Sequence, residues 1–249
     1  MKKRLKFAIE YVGEIIILMG GVLKRMPQII RSRHLLAEQI YTMGVGSLPI
    51  IGITFFFTGA VTAYQAAYQG AAYLPDIYVG MSTAKALLIT LGALLTGLML
   101  AGRIGSAMAA EIGTMRVTEQ IDALETMAID PIRYLVLPRF VACLIITPAL
   151  TLVADIIGCI GGLACAVSIL DIKANIFIQG LRTNFIPHEF WGSLLKAFTF
   201  GWWIAIMSCH HGLKTQGGAE GVGKSATRAV VSSSIMILAF EFIIAQIVF

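Results

Sequence analysis

Five apolar runs, at about 42–65, 82–102, 140–170, 190–210 and 229–249, dominate this 249-residue chain. A helix needs about 20 predominantly apolar residues to cross about 30 Å of hydrocarbon, and each run is long enough. The third exceeds one crossing, which predicts tilt or a projecting end. Charged residues make up only 13% of the chain, where a soluble domain carries roughly a quarter. Inside a bilayer every backbone polar group must be satisfied within the protein, so runs of this length and composition fold as helices. The expected fold is an all-α integral membrane protein, with residues 1–249 as a single membrane domain.

Residues 5–33 precede the first run. Glu10, Glu14 and Gly20-Gly21 interrupt their apolar pattern, and Lys24-Arg25 close it. This reads as an N-terminal interfacial elbow helix lying in the headgroup layer, with a poor sixth span as the alternative. Signal-peptide cleavage is not expected, because no small-residue cleavage site follows. Lys2, Lys3, Arg4, Lys6, Lys24, Arg25, Arg31 and Arg33 lie ahead of the first span. Arg103, Arg116, Arg133 and Arg139 lie between the second and third, and Lys214, Lys224 and Arg228 between the fourth and fifth. The loops at 66–81 and 171–189 are poorer in cations. The positive-inside rule therefore places the N-terminus and the 103–139 and 211–228 loops in the cytoplasm. The net charge of +5 then reflects topology and anionic headgroups, with no nucleic-acid partner. Cys143, Cys159, Cys165 and Cys209 all fall in apolar runs without a CxxC pair, and read as buried free thiols.

Arg103 to Arg139 holds nine of the 33 charged residues. Within it, about 107–128 is helical in pattern. Val117, Ile121, Leu124 and Ala128 form one apolar stripe, and Glu111, Met115, Glu119, Asp122 and Thr126 occupy neighbouring faces. Asp130-Pro131 ends the pattern, since the residue before proline is driven out of the α region. A helix lying flat on the membrane is the alternative, but such helices carry Lys and Arg on the polar face, whereas this one is acidic. The expectation is a cytoplasmic helix between spans 2 and 3, offered to a soluble partner.

The run from Ala101 to Pro131, continuing through Leu137-Pro-Arg139, closely resembles the signature of the MlaE/YrbE permease family. Gly217 to Ser232, before the last span, is a second and shorter match. The resemblance covers nearly the whole chain. It implies a permease subunit of an ABC transporter, working with MCE proteins and moving phospholipid or related lipid between envelope membranes. A second copy of the chain, a cytoplasmic ABC ATPase dimer, an MCE-domain ring on the outer side and a small STAS-type subunit are the implied partners. Residues 111–127 would form the coupling helix that docks on the ATPase, with Glu111, Met115, Glu119, Asp122, Leu124 and Glu125 as its coupling residues. The resemblance fits a bacterial inner membrane, or a plastid inner envelope as the second choice. One element departs: many members carry Arg-Glu-Leu-Gly-Pro in the second span, where this chain has Ile89-Thr-Leu-Gly-Ala93.

Three ionisable residues fall inside spans: Asp155, Lys196 and Glu241. Each costs roughly 2.5–3.5 kcal/mol against lipid, so each should face protein or a wet cavity. Either they pair structurally, Lys196 with Glu241 for example, or they edge a cavity that accepts a lipid headgroup. A proton-coupled secondary transporter using Asp155 and Glu241 is the competing function, although no internal repeat supports it. An intramembrane enzyme is a third class, without a nucleophile–base pair or metal set to support it. Gly218 to Ser225 satisfies the Walker A pattern, but no strand precedes it, so the glycines are expected to make a cytoplasmic turn. His210-His211 and His188-Glu189 are expected at opposite membrane faces and make no metal site. No cofactor is expected, and Gly158, Gly161, Gly162 and Ala164 are read as surfaces for close helix packing, including across a dimer axis.

Overall fold

The computed structural model describes residues 2–70, 74–183 and 185–248, with side chains from residue 9 onward except 30–32. The side chains of Lys2, Lys3, Arg4, Lys6 and Arg31, part of the basic N-terminal pattern, lie outside that description. Eight α-helices occupy the described residues, and no strand does. They are α1 (Lys2–Arg25), α2 (Arg33–Gly70), α3 (Ile77–Val117), α4 (Gln120–Thr126), α5 (Ile132–Ser168), α6 (Ala174–Thr183), α7 (Pro187–Leu213) and α8 (Gly218–Val248). A 3₁₀ segment, Met26–Ser32, joins α1 to α2.

Five of these, α2, α3, α5, α7 and α8, are long and apolar enough to cross a membrane. The chain is an all-α, multi-pass membrane protein. Several helices outrun their apolar runs. At 41 residues α3 is about 60 Å long, twice the hydrocarbon thickness, because the helix continues from the second span through Arg103 to Val117. π-turns widen α3 at Leu87–Leu91 and Ala101–Gly105, and the start of α5 at Ile132–Val136.

Contacts divide the chain into two compact units. The first comprises residues 1–45, 100–146 and 200–236. Ile15, Leu18 and Val22 bury one face of α1 within it, and Met108, Ile112, Phe140 and Ile204 fill its interior. Phe140 meets Trp202 edge-on with ring centroids 4.9 Å apart. Glycines let α3 and α7 approach closely: a Cβ on Gly212 would stand 2.8 Å from the Cβ of Ile112, and one on Gly113 would press the Thr215 hydroxyl.

The second unit comprises residues 46–99, 147–199 and 237–249. Its core includes Phe55, Ala63, Leu87, Ala154, Phe177 and Ile237. Here α2 and α5 cross with almost nothing between their backbones. A Cβ on Gly59 would overlap the Gly158 carbonyl, and one on Gly161 would overlap the Phe56 carbonyl. Gly158 and Gly161 therefore serve the close helix packing expected of them, inside the chain. Gly80 and Gly180 do the same for α3 against α6. Backbone cannot move aside as a flexible side chain can. Gly59→Leu is expected to abolish a folded species in detergent, while Gly13→Ala, with nothing within 4 Å of its added methyl, leaves the melting temperature unchanged. Size-exclusion thermal profiles would check both.

All four cysteines are free: Cys143, Cys165 and Cys209 are buried and Cys159 half-buried.

Candidate functional site

The acidic segment between α3 and α5 lies wholly in the first unit, and it is not the single helix that its pattern predicts. α3 runs on to Val117, breaks at Thr118-Glu119, and a short separate helix, α4, follows. Glu119 sits in the left-handed region at φ 62 and Ala128 at φ 58. Each ends a helix in the manner usually reserved for glycine. After α4 the Ala128 amide donates to the Glu125 carbonyl (3.0 Å) and the Ile129 amide to the Leu124 carbonyl (2.9 Å), a Schellman pair. At the first break the Thr118 hydroxyl takes up the Thr114 carbonyl at 2.8 Å, and the Glu119 amide donates to the Arg116 carbonyl at 3.3 Å. Neither left-handed position holds Gly or Asn, so apolar periodicity alone ran straight through both.

The ends of the segment are braced. Asp130 lies just ahead of α5 and accepts from the Ile132 amide at 3.0 Å, with Pro131 at the cap position between them. Its carboxylate also pairs with Arg25 at the end of α1. Glu111 pairs with the buried guanidinium of Arg139 at 3.0 Å, and Arg139 also donates to the Leu135 carbonyl at 2.9 Å. Glu111 thus ties α3 to α5. Ile121 is buried and anchors α4 to the unit.

The remaining residues point outward. Glu119, Asp122 and Glu125 are exposed, Met115 and Leu124 half-exposed, and Asp122 pairs with Arg116 at 2.6 Å on the surface. Beyond them Met127 and Ile129 are exposed, 61% and 38%, although both are large and apolar. Met127 closes the segment expected to dock, and Ile129 lies beyond it. An apolar side chain following an acidic helix was the available signal.

The intramembrane ionisable residues lie wholly in the second unit. Lys196 is fully buried and pairs with Glu241 at 2.6 Å. Its ammonium also donates to the Ile89 carbonyl at 2.8 Å. Ile89 lies in the Leu87–Leu91 π-turn, where the wider winding releases carbonyls from the α-helical ladder. The stretch that departs from the family's Arg-Glu-Leu-Gly-Pro thus supplies a backbone acceptor. Asp155 does not join this pair. It is 6% exposed, neither carboxylate oxygen has a hydrogen-bond partner among the described residues, and it abuts Gly92 just past the same π-turn.

The remaining motifs have ordinary structural partners. Gly217 (φ 89) and Gly218 (φ 66) make the expected turn, but Gly221 and Gly223 lie within α8. The Walker A-like residues are therefore the first turns of a helix and form no phosphate-cradling loop. His188 meets the Val248 carbonyl at 2.7 Å, and Glu189 pairs with Lys85 at 3.3 Å. In the first unit His211 stands 3.2 Å from the Tyr11 hydroxyl and 2.8 Å from that of Ser232. Glu14 on α1 pairs with Lys214, whose hydrogen bond holds the Glu14 carboxyl below the usual carboxylate range.

The family model for Permease MlaE matches residues 36–247. A "Probable ABC transporter permease protein" of Rickettsia felis is 41% identical over 215 residues, covering 86% of this chain and 83% of that protein. Another from Synechocystis is 41% identical over 212 residues, 85% and 81% of the two chains. The "Intermembrane phospholipid transport system permease protein MlaE" of Haemophilus influenzae is 33% identical over 242 residues, 96% and 92%. With the permease match spanning three of the five membrane-crossing helices whole and nearly all of the first and last, this chain belongs to the MlaE permease family.

Proposed function

We propose that the chain is the membrane subunit of an ABC transporter that moves phospholipid or a related lipid between envelope membranes. A separate cytoplasmic ATPase would drive it through residues 115–129. The carrying observation is the surface there: half-exposed Leu124 and exposed Met127 and Ile129 beside Glu119, Asp122 and Glu125, on and around a short helix held between two braced ends. Apolar side chains held rigidly in water favour burial against a partner. The relatives' names supply the transport class and, for the Haemophilus protein, the lipid.

Glu111, exposed but paired through one carboxylate oxygen with Arg139, acts as a brace in this reading, and the docking contacts come from Met115 to Ile129. Movement of the ATPase would pull on α4 and so on α3 and α5, the two helices joined to its ends. Residues 1–249 would work as one membrane domain, paired with a second copy in a bacterial inner membrane, with an MCE-domain ring on the outer side and a STAS-type subunit as accessory. The Lys196–Glu241 pair and Asp155 would edge the lipid path. Glu241 held by Lys196 weighs against the proton-coupled alternative, which needs it to exchange protons freely.

Purification in mild detergent tests the assignment. An ABC ATPase should accompany the chain, and the complex should hydrolyse ATP while the chain alone does not. Recovery of the chain without any ATPase, from the cells that naturally produce it, would count against it.

A further inference from the structure

In the second unit the Leu87–Leu91 π-turn borders a polar group besides Lys196. Asp155 on α5 is 6% exposed, and neither of its carboxylate oxygens has a partner among the described residues. An isolated carboxylate inside a span is costly, and buried charges are either paired or bound to a metal ion. The groups around it decide which. A Cβ on Gly92 would overlap Oδ1 of Asp155 and stand 2.9 Å from the Leu87 carbonyl oxygen. That carbonyl accepts from the Gly92 amide, the longer bond of the π-turn, and keeps its second lone pair. Thr96 follows Gly92 by one helical turn and so shares its face of α3. It is fully buried, and its hydroxyl is also without a partner among the described residues. The cluster is thus built of oxygens: two from a carboxylate, one from a carbonyl and one from a hydroxyl.

Carbonyls freed where a membrane helix departs from regular winding are known ligands for sodium. One carboxylate balances one positive charge, whereas calcium and magnesium sites gather more oxygens or keep several waters. Oδ1 of Asp155 and the Leu87 carbonyl oxygen lie within about 5 Å of each other, which an ion bridges at roughly 2.4 Å to each, a bond length sodium shares with calcium. Potassium needs longer bonds. Gly92 is part of the fit, since a side chain there would fill the space between the two oxygens.

We infer that Asp155, the Leu87 carbonyl and Thr96 bind a sodium ion where α5 meets the π-turn of α3. The one π-turn then serves two cations, the Lys196 ammonium through Ile89 and the sodium ion through Leu87. Bound there, the ion clamps α3 to α5. The site gives Asp155 a ligand of its own, and it stands whether or not the chain carries lipid.

The test uses the full chain with whatever ATPase co-purifies, in detergent, with sodium chloride exchanged for choline chloride at constant ionic strength. Sodium at about a hundredfold excess over its dissociation constant should raise the melting temperature by about 5 °C, because a ligand confined to the folded state stabilises it by mass action. Thr96→Val keeps the shape and removes one oxygen, so it should raise the sodium concentration needed about tenfold. Asp155→Asn should abolish the response. A measurement on the unaltered chain covers the case of a variant that fails to fold. Dicyclohexylcarbodiimide attacks protonated carboxyls in apolar surroundings, and sodium should slow its attachment to Asp155 by a large factor. Cys159, half-buried one turn further along α5, is the neighbouring titratable group, so peptide mass spectrometry identifies the modified residue. Equal melting temperatures in sodium and choline would overturn the site. An equal response to potassium would overturn the assignment to sodium. Labelling slowed by raised pH but not by sodium would show a carboxyl that carries only a proton, and would overturn the bound cation.

Discussion

Lys196→Ala should lower the stability of the membrane domain by about 3–5 kcal/mol, enough to lose most folded protein from detergent extracts. The ammonium is fully buried and holds both Glu241 and the Ile89 carbonyl. Its removal strands a carboxylate and a π-turn carbonyl without a donor, and breaking a buried pair from one side is among the most damaging single changes. The double variant Lys196→Met with Glu241→Leu removes both charges at similar volume and should recover much of the loss, because apolar replacements of buried pairs are commonly neutral. Lipid transport by the recovered double variant then separates two roles. If the pair edges the lipid path, transport stays low although the fold has returned. Full transport would reduce the pair to a packing device. Thermal unfolding of the purified variants, followed by transfer of labelled phospholipid between vesicles, reads both quantities.

That pair also shows what a linear sequence discloses. The cost of a charge in hydrocarbon makes pairing of Lys196 with Glu241 foreseeable from composition and span position. The part played by Ile89 was not foreseeable, since a π-turn changes which carbonyls are free without requiring any particular side chain. The same holds for the acidic segment. Its helical character follows from periodicity, but the breaks at Glu119 and Ala128 rest on left-handed residues that are not glycine. Their stability comes from the brace at Asp130 and Arg25 and the burial of Ile121, which are tertiary contacts. Glu111 carries the same lesson. On a helical wheel it joins the docking face, and only the approach of Arg139, 28 residues later, turns it into a strut. The five spans, by contrast, were legible because hydrocarbon thickness imposes length and apolarity on each helix separately. The crossings at Gly59 and Gly80 depend on which glycine meets which backbone, and the chain order does not contain that.

Leu124→Arg should release the ATPase or uncouple its hydrolysis from transport while leaving the membrane domain intact. Leu124 is half-exposed on α4, between the exposed carboxylates Asp122 and Glu125 and close in sequence to the exposed Met127. An arginine there can reach solvent, so the free chain tolerates it, within about 0.5 kcal/mol as for ordinary surface changes. In a docked groove the same guanidinium would be desolvated without a partner, and truncating or charging a central apolar contact weakens an interface by about 2 kcal/mol or more. The expected readings are an unchanged melting temperature, at least a tenfold drop in co-purified ATPase or in ATP-driven lipid transfer, and normal basal hydrolysis by whatever ATPase remains bound. Glu111→Gln supplies the contrast. It loses a strut to Arg139, so it should lower the melting temperature while leaving affinity for the ATPase nearly unaltered. An outcome with the two variants exchanged, Glu111→Gln shedding the ATPase and Leu124→Arg binding it normally, would move the docking surface from α4 back to the end of α3.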